Sequence, residues 1–476
     1  MILERLYDSD LAQASFLIGC PDTQRALVVD PRRDLEPYLA LARAQGLTIT
    51  DVAETHIHAD FLSGARELAL ATGATFWHSA QGGETWRYQG LSELRARPLQ
   101  DGQHIRLGCC ALEAVHTPGH TPEHLSYLLI EHDHVLGVLT GDFLFVSTLG
   151  RPDLIDATGL GENSSRQAAE ALYRSVHIAR ERFPHDVPLW PGHGAGSACG
   201  KAIGALPSTT LAIEWNTAPW ATYLKRDDKE GFIEHILAGQ PDSPTYFKRM
   251  KVENRDGFGL RDRSAEPARL HPHRIRQAID QGVTFVDLRS RDDFQRAHLP
   301  QSLHLPLGAH LESWAGWALP WRQPLVLIAS PGEDPAQAAT RLLRVGHDAI
   351  VGWARFDELP DAHFTDQPYI EVDEALERWR QKDALFVDVR SSLEWRQGHI
   401  PDALHRPFTR LTTLCDTIPD DQDLIVYCGS GARAAAATSL LHAHGLTRAI
   451  VFEGSMQTWT ERALPLEPPA QRPAAP

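Results

Sequence analysis

The chain has 476 residues, of which 42% are hydrophobic and 23% are charged. These fractions are typical of a globular protein, and at roughly 150 residues per domain the length predicts about three domains. A formal net charge of −16 argues against nucleic acid or a membrane as a partner, because phosphate-rich surfaces repel an acidic protein.

The start of the chain lacks a basic region followed by an apolar core, and nowhere do roughly 18 apolar residues run together, so we expect a cytoplasmic protein. The cysteines are few for this length and show no paired spacing, which argues against a disulfide framework and leaves reduced thiols as candidates for chemistry. They are Cys20, Cys109, Cys110, Cys199, Cys415 and Cys428. We also expect a homo-oligomer, although the sequence does not specify the number of subunits.

Metal-ligand residues follow four predicted strands in the first half of the chain. The strands span 48–53, 111–116, 135–139 and 187–189. After them come Thr55-His-Ile-His-Ala-Asp, Thr117-Pro-Gly-His-Thr-Pro, Thr140-Gly-Asp-Phe and Trp190-Pro-Gly-His-Gly. Because loops at strand ends commonly hold ligands, we expect these segments to form one metal site.

These segments resemble the persulfide dioxygenase branch of the metallo-β-lactamase superfamily, and the match continues through Gly150-Arg-Pro-Asp-Leu and Leu172-Tyr-Arg-Ser-Val-His. The resemblance implies an αββα sandwich over residues 1–250 and one Fe(II) per chain, held by His56, His120 and Asp142. It also implies that O2 oxidises the outer sulfur of a persulfide R-S-SH to sulfite and releases the thiol R-SH. Two imidazoles and one carboxylate would leave about three positions open on the iron, enough for O2 and a sulfur ligand together.

The superfamily's two-metal hydrolases carry a histidine where this chain has Phe61, which offers no lone pair to a second metal. We therefore expect His58, Asp60 and His193 to hydrogen-bond to the ligands or to bound water, with direct ligation as the alternative. The alternative function is a two-metal thioester hydrolase of the glyoxalase two kind, which would use an activated water. Two metals per chain would support it.

Three further residues are candidate contacts near this site. Arg151 and Lys201 could bind an anionic thiol carrier, and Cys199 lies six residues after His193, close enough to approach the metal. Each also has an ordinary interpretation, as a surface charge or a small packed residue. We predict that Cys20 ends a strand, and we interpret four other histidines as surface or loop residues: His124, His132, His134 and His185.

The polar, aperiodic segment 251–269 is the predicted linker, and beyond it the chain repeats itself. Val283-Thr-Phe-Val-Asp-Leu-Arg matches Ala384-Leu-Phe-Val-Asp-Val-Arg in a register of 101 residues. A period of about 100 residues indicates a duplicated domain, and each copy alternates predicted strands and helices, which favours a parallel α/β sheet. We place the copies at 270–362 and 368–465 and expect the Pro- and Ala-rich tail 466–476 to be disordered.

In the second copy an apolar strand runs directly into Cys428 and the loop Gly-Ser-Gly, and a predicted helix follows. Backbone N–H groups and a helix N-terminus stabilise an anion, so we expect Cys428 to be a thiolate that can carry a persulfide. Arg433 would add a positive charge for an anion such as thiosulfate or sulfite. Together with Gly398-His-Ile-Pro, this loop resembles the rhodanese sulfurtransferase family. The ordinary alternative is a cysteine buried as packing.

In the first copy the equivalent positions hold Ala329 in place of the cysteine and Asp334 in place of the arginine. With no thiol and a reversed charge, this copy is predicted to be an inactive rhodanese-like domain. The order of dioxygenase, inactive rhodanese and active rhodanese resembles bacterial fusions of sulfide detoxification.

The resemblance leaves the substrates and the direction of transfer open. The thiol could be glutathione, coenzyme A, another small thiol or a protein, and the rhodanese could make thiosulfate from sulfite or consume it. A carrier or sensor that only binds sulfur compounds is the alternative from a different class.

Overall fold

The computed structural model describes residues 1–158, 164–259, 266–360 and 364–467. Its residue contacts divide the chain into two units, Met1–Arg261 and Asp262–Pro476. In the described parts of the chain, no helix combines the length and the apolar character needed to span a bilayer.

The first unit contains two six-stranded sheets. Strands of the first sheet are, in order, Ile2–Asp8, Gln13–Cys20, Arg25–Val29, Thr48–Ala53, Thr75–Ser79 and Arg95–Leu99. Strands of the second sheet are, in order, Thr209–Thr210, Pro188–Pro191, His134–Gly141, Leu125–Glu131, Cys110–His116 and His104–Arg106.

Alternation of side chains along the strands explains why both sheets are covered on both faces. In Gln13–Cys20, residues Phe16 and Ile18 join the core shared by the two sheets, whereas Leu17 joins the core under the helices of the first sheet. That core also contains Tyr38 and Leu68 from two of those helices. The predicted αββα sandwich is thereby confirmed.

The helices of this unit form the two outer layers. They span Glu36–Ala44, Ala65–Thr72, Ser164–Arg182, Leu211–Thr217, Ala221–Lys225, Lys229–Leu237 and Phe247–Asp256, with 3-10 turns at Glu84–Trp86 and Asp153–Thr158.

The four strands predicted to precede the metal segments are all present. The strand predicted at 48–53 is Thr48–Ala53, and the other three are Cys110–His116, His134–Gly141 and Pro188–Pro191. Cys20 ends a strand, as predicted. The metal-ligand residues therefore lie on loops at strand ends.

The predicted linker is structured at both ends. Lys251 to Asp256 complete the helix Phe247–Asp256, and Arg269 pairs with Trp353 at the edge of the next sheet. Phe247, Met250 and Asn254 form the buried face of this helix, so even a polar residue of the predicted linker, Asn254, is packed against the unit. Residues 260–265 lie outside the described residues.

The second unit holds two all-parallel sheets, one for each repeat, as predicted. The first runs Leu303–His304, Thr284–Asp287, Leu325–Ala329 and Ile350–Arg355. The second runs Tyr369–Ile370, Ala449–Phe452, Asp423–Tyr427, Ala384–Asp388 and Leu404–His405.

Helices of this unit connect the strands of each sheet. They span Pro272–Asp280, Arg291–Arg296, Leu311–Ala318, Pro335–Arg344, Val372–Gln381, Ser392–Gln397, Leu411–Leu414, Ala432–Ala443 and Ser455–Glu461, with 3-10 turns at Phe356–Glu358, Phe408–Arg410 and Cys415–Thr417. Within the predicted tail, Glu467 pairs with His399, and residues 468–476 lie outside the described residues.

Candidate metal centre and sulfur-transfer loop

Three predicted metal ligands converge at one buried point of the first unit. Nε2 of His56 lies 3.8 Å from Oδ2 of Asp142, and Nε2 of His120 lies 3.5 Å from the same oxygen. Each of the three side chains is at most 2% exposed. Atoms bound to one ion at about 2.1 Å are separated by roughly 3–3.5 Å, so a modest contraction would accommodate a metal.

Hydrogen bonds orient both imidazoles so that Nε2 points inward. Nδ1 of His56 bonds to Oγ1 of Thr55 at 2.9 Å, and this hydroxyl donates to Asp30 at 2.8 Å. Nδ1 of His120 bonds to the carbonyl oxygen of Arg151 at 3.2 Å. Fixing Nδ1 in this way leaves Nε2 with its lone pair free for a metal.

His124 was predicted to be a surface or loop residue; it does lie in a loop, just before the strand Leu125–Glu131, but it is not on the surface. Its side chain is fully buried, and Nε2 accepts the backbone N–H of Asp142 at 3.0 Å. Burial lowers the pKa of His124 to about 3, which keeps this nitrogen unprotonated and able to accept. His124 therefore positions a metal ligand, whereas His132, His134 and His185 are exposed as predicted.

The charge balance of the cluster suits a cation. Burial lowers the pKa of His56 and His120 well below the usual range and raises the pKa of Asp142 to about 6. Within the described residues, Nε2 of His56 and Oδ2 of Asp142 have no hydrogen-bond partner. Buried polar atoms without a partner are costly, and a metal ion would satisfy these two together.

A second group of donors lies beside the first. Ligand atoms of Asp60, His193 and Cys199 lie within 4.8 Å of one another, and Nε2 of His193 is 3.3 Å from Asp60 and 3.5 Å from Asp142. Burial, together with the charges of Asp60 and Asp142, raises the pKa of the Cys199 thiol well above the usual range. Cys199 thus lies at the metal centre.

His58 faces a carboxylate outside both groups. Its Nε2 lies 3.1 Å from Oδ1 of Asp30, and although burial opposes the charge, Asp30 outweighs it and raises the pKa of His58 to about 9. The neighbouring Phe61 is fully buried, with its ring 4.5 Å from that of His58. An imidazolium paired in this way is a poor ligand.

The other two predicted substrate contacts are engaged elsewhere. Arg151 is 1% exposed, and its guanidinium donates to the carboxylate of Asp153 at 3.0 and 2.6 Å and to the carbonyl of Ala198. Nζ of Lys201 donates to the carbonyl of Ala238 at 2.8 Å. Arg151 thereby fixes the loop whose carbonyl holds His120.

Two lysines that the sequence patterns did not reveal line a recess beside His120. Its walls include Ala59, Thr121, Phe247, Lys248 and Lys251. Nζ of Lys251 lies 3.0 Å from the ring centroid of Trp86, and burial lowers the pKa of this lysine while the charge of Glu123 opposes the shift. The helical spacing of Phe247, Met250 and Asn254 was the available signal that these lysines sit on a packed helix.

In the second repeat, Cys428 follows the strand Asp423–Tyr427 and precedes the helix Ala432–Ala443. The backbone N–H of Gly431 donates to Sγ of Cys428 at 3.2 Å, and the residue is 1% exposed. This is the predicted arrangement of a sulfur at a strand end with an N–H group and a helix N-terminus behind it.

Arg433 lies next to this loop and is paired. Its Nη1 and Nη2 donate to the carboxylate of Glu394 at 2.9 and 2.6 Å, and Nη2 lies 3.5 Å from where a Cβ on Gly429 would be. The fork-like pairing fixes the plane of the guanidinium.

The first repeat contributes a cation to the same loop. Nη1 of Arg291 lies 3.1 Å from Glu453 and 3.0 Å from the position that a Cβ would take on Gly431. Gln295, one turn further along the helix, donates to Glu453 at 2.7 Å. The first repeat therefore supports the loop of the second.

Comparison with known families agrees with this architecture. Residues 9–193 match the metallo-β-lactamase superfamily, and residues 271–353 and 371–462 each match the rhodanese-like domain. The chain belongs to the metallo-β-lactamase superfamily and carries two rhodanese-like domains after it.

Individual relatives carry the names of different functions. A hydroxyacylglutathione hydrolase of Polaromonas sp. is 32% identical over 246 residues, which is 48% of this chain and 84% of the relative. The human mitochondrial persulfide dioxygenase ETHE1 is 28% identical over 195 residues, which is 40% of this chain and 68% of the relative. A crystal structure described as a metallo-β-lactamase from Staphylococcus aureus shares 33% identity and a TM-score of 0.64, covering 75% of this chain and 99% of its own.

Proposed function

We propose that the protein is an Fe(II)-dependent persulfide dioxygenase joined to a thiosulfate sulfurtransferase. The observation that carries the proposal is the His56, His120 and Asp142 cluster, in which three buried donors face one point while Phe61 fills the place of a further ligand. Two imidazoles and a carboxylate with vacant positions are the donor set typical of non-haem iron oxygenases. The persulfide dioxygenase relative supports the same interpretation.

When bound, a ferrous ion would supply the redox centre for the reaction of O2 and one water with the outer sulfur of the persulfide, which gives sulfite, the thiol and two protons. Protein residues hold the site in shape for this reaction. Thr55 and the carbonyl of Arg151 fix the two imidazoles, and His124 fixes the backbone of Asp142. Burial of the cluster excludes bulk water, so the chain favours oxidation over leakage of the persulfide to solvent.

The recess beside His120 is the proposed entrance for the thiol part of the substrate. Lys248 lines it with an exposed ammonium group, so it would attract a carrier with carboxylate or phosphate groups, as in glutathione or coenzyme A, whereas the amine of Lys251 is held over Trp86. This assignment replaces Arg151 and Lys201, whose donors are used by other groups.

Cys428 is the proposed sulfur carrier. Its sulfur would attack the outer sulfur of thiosulfate, forming Cys428-S-SH and releasing sulfite, or run in reverse and pass sulfur to sulfite made at the metal centre. The Gly431 N–H would stabilise the sulfur anion in both directions, and the charge of Arg433, which is held by Glu394, interacts with that of Cys428. The first repeat would be inactive, because it contains no cysteine.

The experiment is O2 uptake by Fe(II)-loaded protein on glutathione persulfide and coenzyme A persulfide, with sulfite, thiosulfate and iron measured in the same samples. Asp142→Ala should lose iron and O2 uptake and keep sulfur transfer to cyanide, whereas Cys428→Ser should do the reverse. If either variant lost both activities while remaining folded, the two-site proposal would fail.

A thioester hydrolase is the second candidate, and one observation favours it. Asp60, His193 and Cys199 form a second donor group beside the first, and a hydroxyacylglutathione hydrolase is among the relatives. Two metals per chain, together with turnover of a glutathione thioester that Asp60→Asn abolishes, would favour hydrolysis. One iron per chain and no thioester turnover would exclude it.

A further inference from the structure

Three cysteines that take no part in either site meet at one end of the sandwich. Sγ of Cys20 lies 3.4 Å from Sγ of Cys109, which lies 3.7 Å from Sγ of Cys110. Cys20 ends a strand of the first sheet, and the other two lie where the chain enters the strand Cys110–His116 of the second. The two sheets thus bring together thiols that are 89 residues apart in the chain.

This thiol cluster is remote from the metal centre. Gln13, at the other end of the Cys20 strand, pairs with His193 of the metal centre. Seven residues of extended strand span roughly 23 Å. Chemistry at the cluster is therefore separate from chemistry at the metal.

The backbone of the turn before Cys109 packs closely against Cys20. Gly108 has φ of +122°, and a Cβ there would lie 3.0 Å from Sγ of Cys20 and 2.6 Å from Thr23. Only glycine allows this conformation and this approach without strain. The contact between Cys20 and Cys109 is therefore built into the turn.

The two thiols of the close pair differ in ionisation and access. Burial opposes ionisation of Cys20, but hydrogen bonds from Thr23 and Cys109 outweigh it and lower its pKa to about 6. The hydrogen bond with Cys20, followed by burial and Asp22, raises the pKa of Cys109. Cys20 is fully buried, whereas Cys109 is half-buried and reachable from solvent. Cys109 is therefore the thiol that a persulfide in solution can reach, and Cys20 is the thiolate beside it that can take its proton.

We infer that Cys109 and Cys20 form a persulfide-reactive dithiol, which low-molecular-weight persulfides convert to a Cys20–Cys109 disulfide. Cys20 thiolate takes the proton of Cys109, the Cys109 thiolate attacks the outer sulfur of R-S-SH, and the proton passes on to R-S⁻, so that R-SH leaves and Cys20 is again a thiolate. Cys20 thiolate then attacks Sγ of Cys109 and expels the added sulfur as HS⁻, which takes up a proton. In sum, two thiols and R-S-SH give one disulfide, R-SH and hydrogen sulfide, so the two cysteines are oxidised and the outer sulfur is reduced.

A metal held by all three sulfurs is the competing use of the cluster. It would require Cys110 to ionise, yet burial, Cys109 and Cys20 raise the pKa of this thiol to about 12. The disulfide requires nothing of Cys110. Because a bound metal ion would displace this proton, protection of the thiols by Zn²⁺ is the observation that distinguishes the two uses.

The test is anaerobic treatment of the reduced full-length protein with glutathione persulfide, followed by alkylation and peptide mapping by mass spectrometry. Without O2 no dioxygenase turnover occurs, so the result is independent of the proposed function. We expect a Cys20–Cys109 link, one molecule of hydrogen sulfide released per link and reversal by dithiothreitol. Glutathione with sulfide alone should give no link.

Single cysteine substitutions assign the two steps, attack on the persulfide and formation of the disulfide, to individual residues. Cys109→Ser should give no link, Cys20→Ser should leave a persulfide on Cys109, one sulfur atom (about 32 Da) heavier, and the control Cys110→Ser should link as wild type does. Absence of the link in wild type, or a link that instead uses Cys110, would overturn the inference. So would protection of all three thiols from alkylation by one Zn²⁺ per chain.

Discussion

The two rhodanese-like repeats share a frame and differ in a loop. In each, an arginine forks onto a buried aspartate: Arg289 donates to Asp287 at 2.9 and 2.7 Å, and Arg390 donates to Asp388 at 3.0 and 2.7 Å. Each arginine also caps the carbonyl at the end of the following helix. The frame depends on residues that both copies retain.

The loops after the central strands have diverged. In the second repeat the Gly431 N–H points at the sulfur of Cys428. In the first, Ala329 takes the place of the cysteine, and the N–H of Ser330 donates to the carboxylate of Glu333 at 2.6 Å. A carboxylate of the protein thus binds a backbone N–H of this loop, at the position equivalent to Gly429 of the second repeat. The proposed sulfur transfer would therefore depend on the loop of the second repeat and not on the fold alone.

The largest expected effect concerns the loop of the second repeat, which contains the proposed nucleophile that the first repeat lacks. Cys428→Ser should lower sulfur transfer from thiosulfate to cyanide by more than about 1,000-fold, because the nucleophile is gone. Cys415→Ser, at a buried cysteine of the same repeat, is the matched control and should keep activity. Adding Ala329→Cys to the Cys428→Ser protein should restore nothing, since Glu333 already holds the loop N–H. Recovery of activity in this double variant would show that the first repeat needs only a cysteine, and that the two loops do not differ as described.

The shared frame makes a prediction about stability. Asp287→Asn and Asp388→Asn each leave a nearly buried arginine without its carboxylate, so each should lower the free energy of unfolding by about 3 kcal/mol. Urea denaturation of the two variants measures this. A large loss in one repeat and none in the other would show that the frames are not equivalent.

The support that one repeat gives the other has a smaller expected effect. Arg291→Ala should release Glu453 and raise KM for thiosulfate by about three-fold with little change in kcat. Arg296→Ala is the control, because this exposed arginine of the same helix pairs locally, with Asp293. Steady-state kinetics on both variants decides, and equal KM values would remove the supporting role of the first repeat.

The smallest effect concerns pH. Burial opposes ionisation of Glu394, but Arg433 and Ser391 outweigh it and lower its pKa to about 2 from the ordinary 4.5. Because the folded pKa is depressed, the pair stabilises fully above about pH 4.5, and this contribution is lost as the pH falls through 2. Glu394→Gln should therefore unfold more easily than wild type at pH 7, by about 0.5 kcal/mol, with the gap narrowing in acid. Thermal unfolding of both proteins between pH 3 and 7 measures this difference in stability. A difference that stays constant with pH would show that the ion pair is not its source.

The sequence predicted those site residues that follow directly after a recognisable strand. His56, His120 and Asp142 were predictable because each follows an apolar strand, and strand ends converge at one edge of a sandwich. The motif around Cys428 was predictable for the same reason.

Residues that act across long separations gave no such signal. Nε2 of His124 accepts the backbone N–H of Asp142, which lies in a different loop. The residues that flank His124 in the sequence do not distinguish it from a surface histidine. Cys20 meets Cys109 only because two sheets pack together. Lys251 was assigned to a linker since the polarity of its segment hid one buried helix face.

That last helix bears on how the molecule can be dissected. Nδ2 of Asn254 donates to the carbonyls of His58 and Phe61 at 2.8 Å each, and its Oδ1 accepts the N–H of Ser63 at 2.9 Å. A fragment cut at residue 193, where the superfamily match ends, or at 250 would strand three buried backbone groups, at about 1–3 kcal/mol apiece. The first unit alone should therefore be expressed through at least Gly257. The helix Phe247–Asp256, part of which the sequence predicted to be a linker, then stays in place and satisfies these backbone groups.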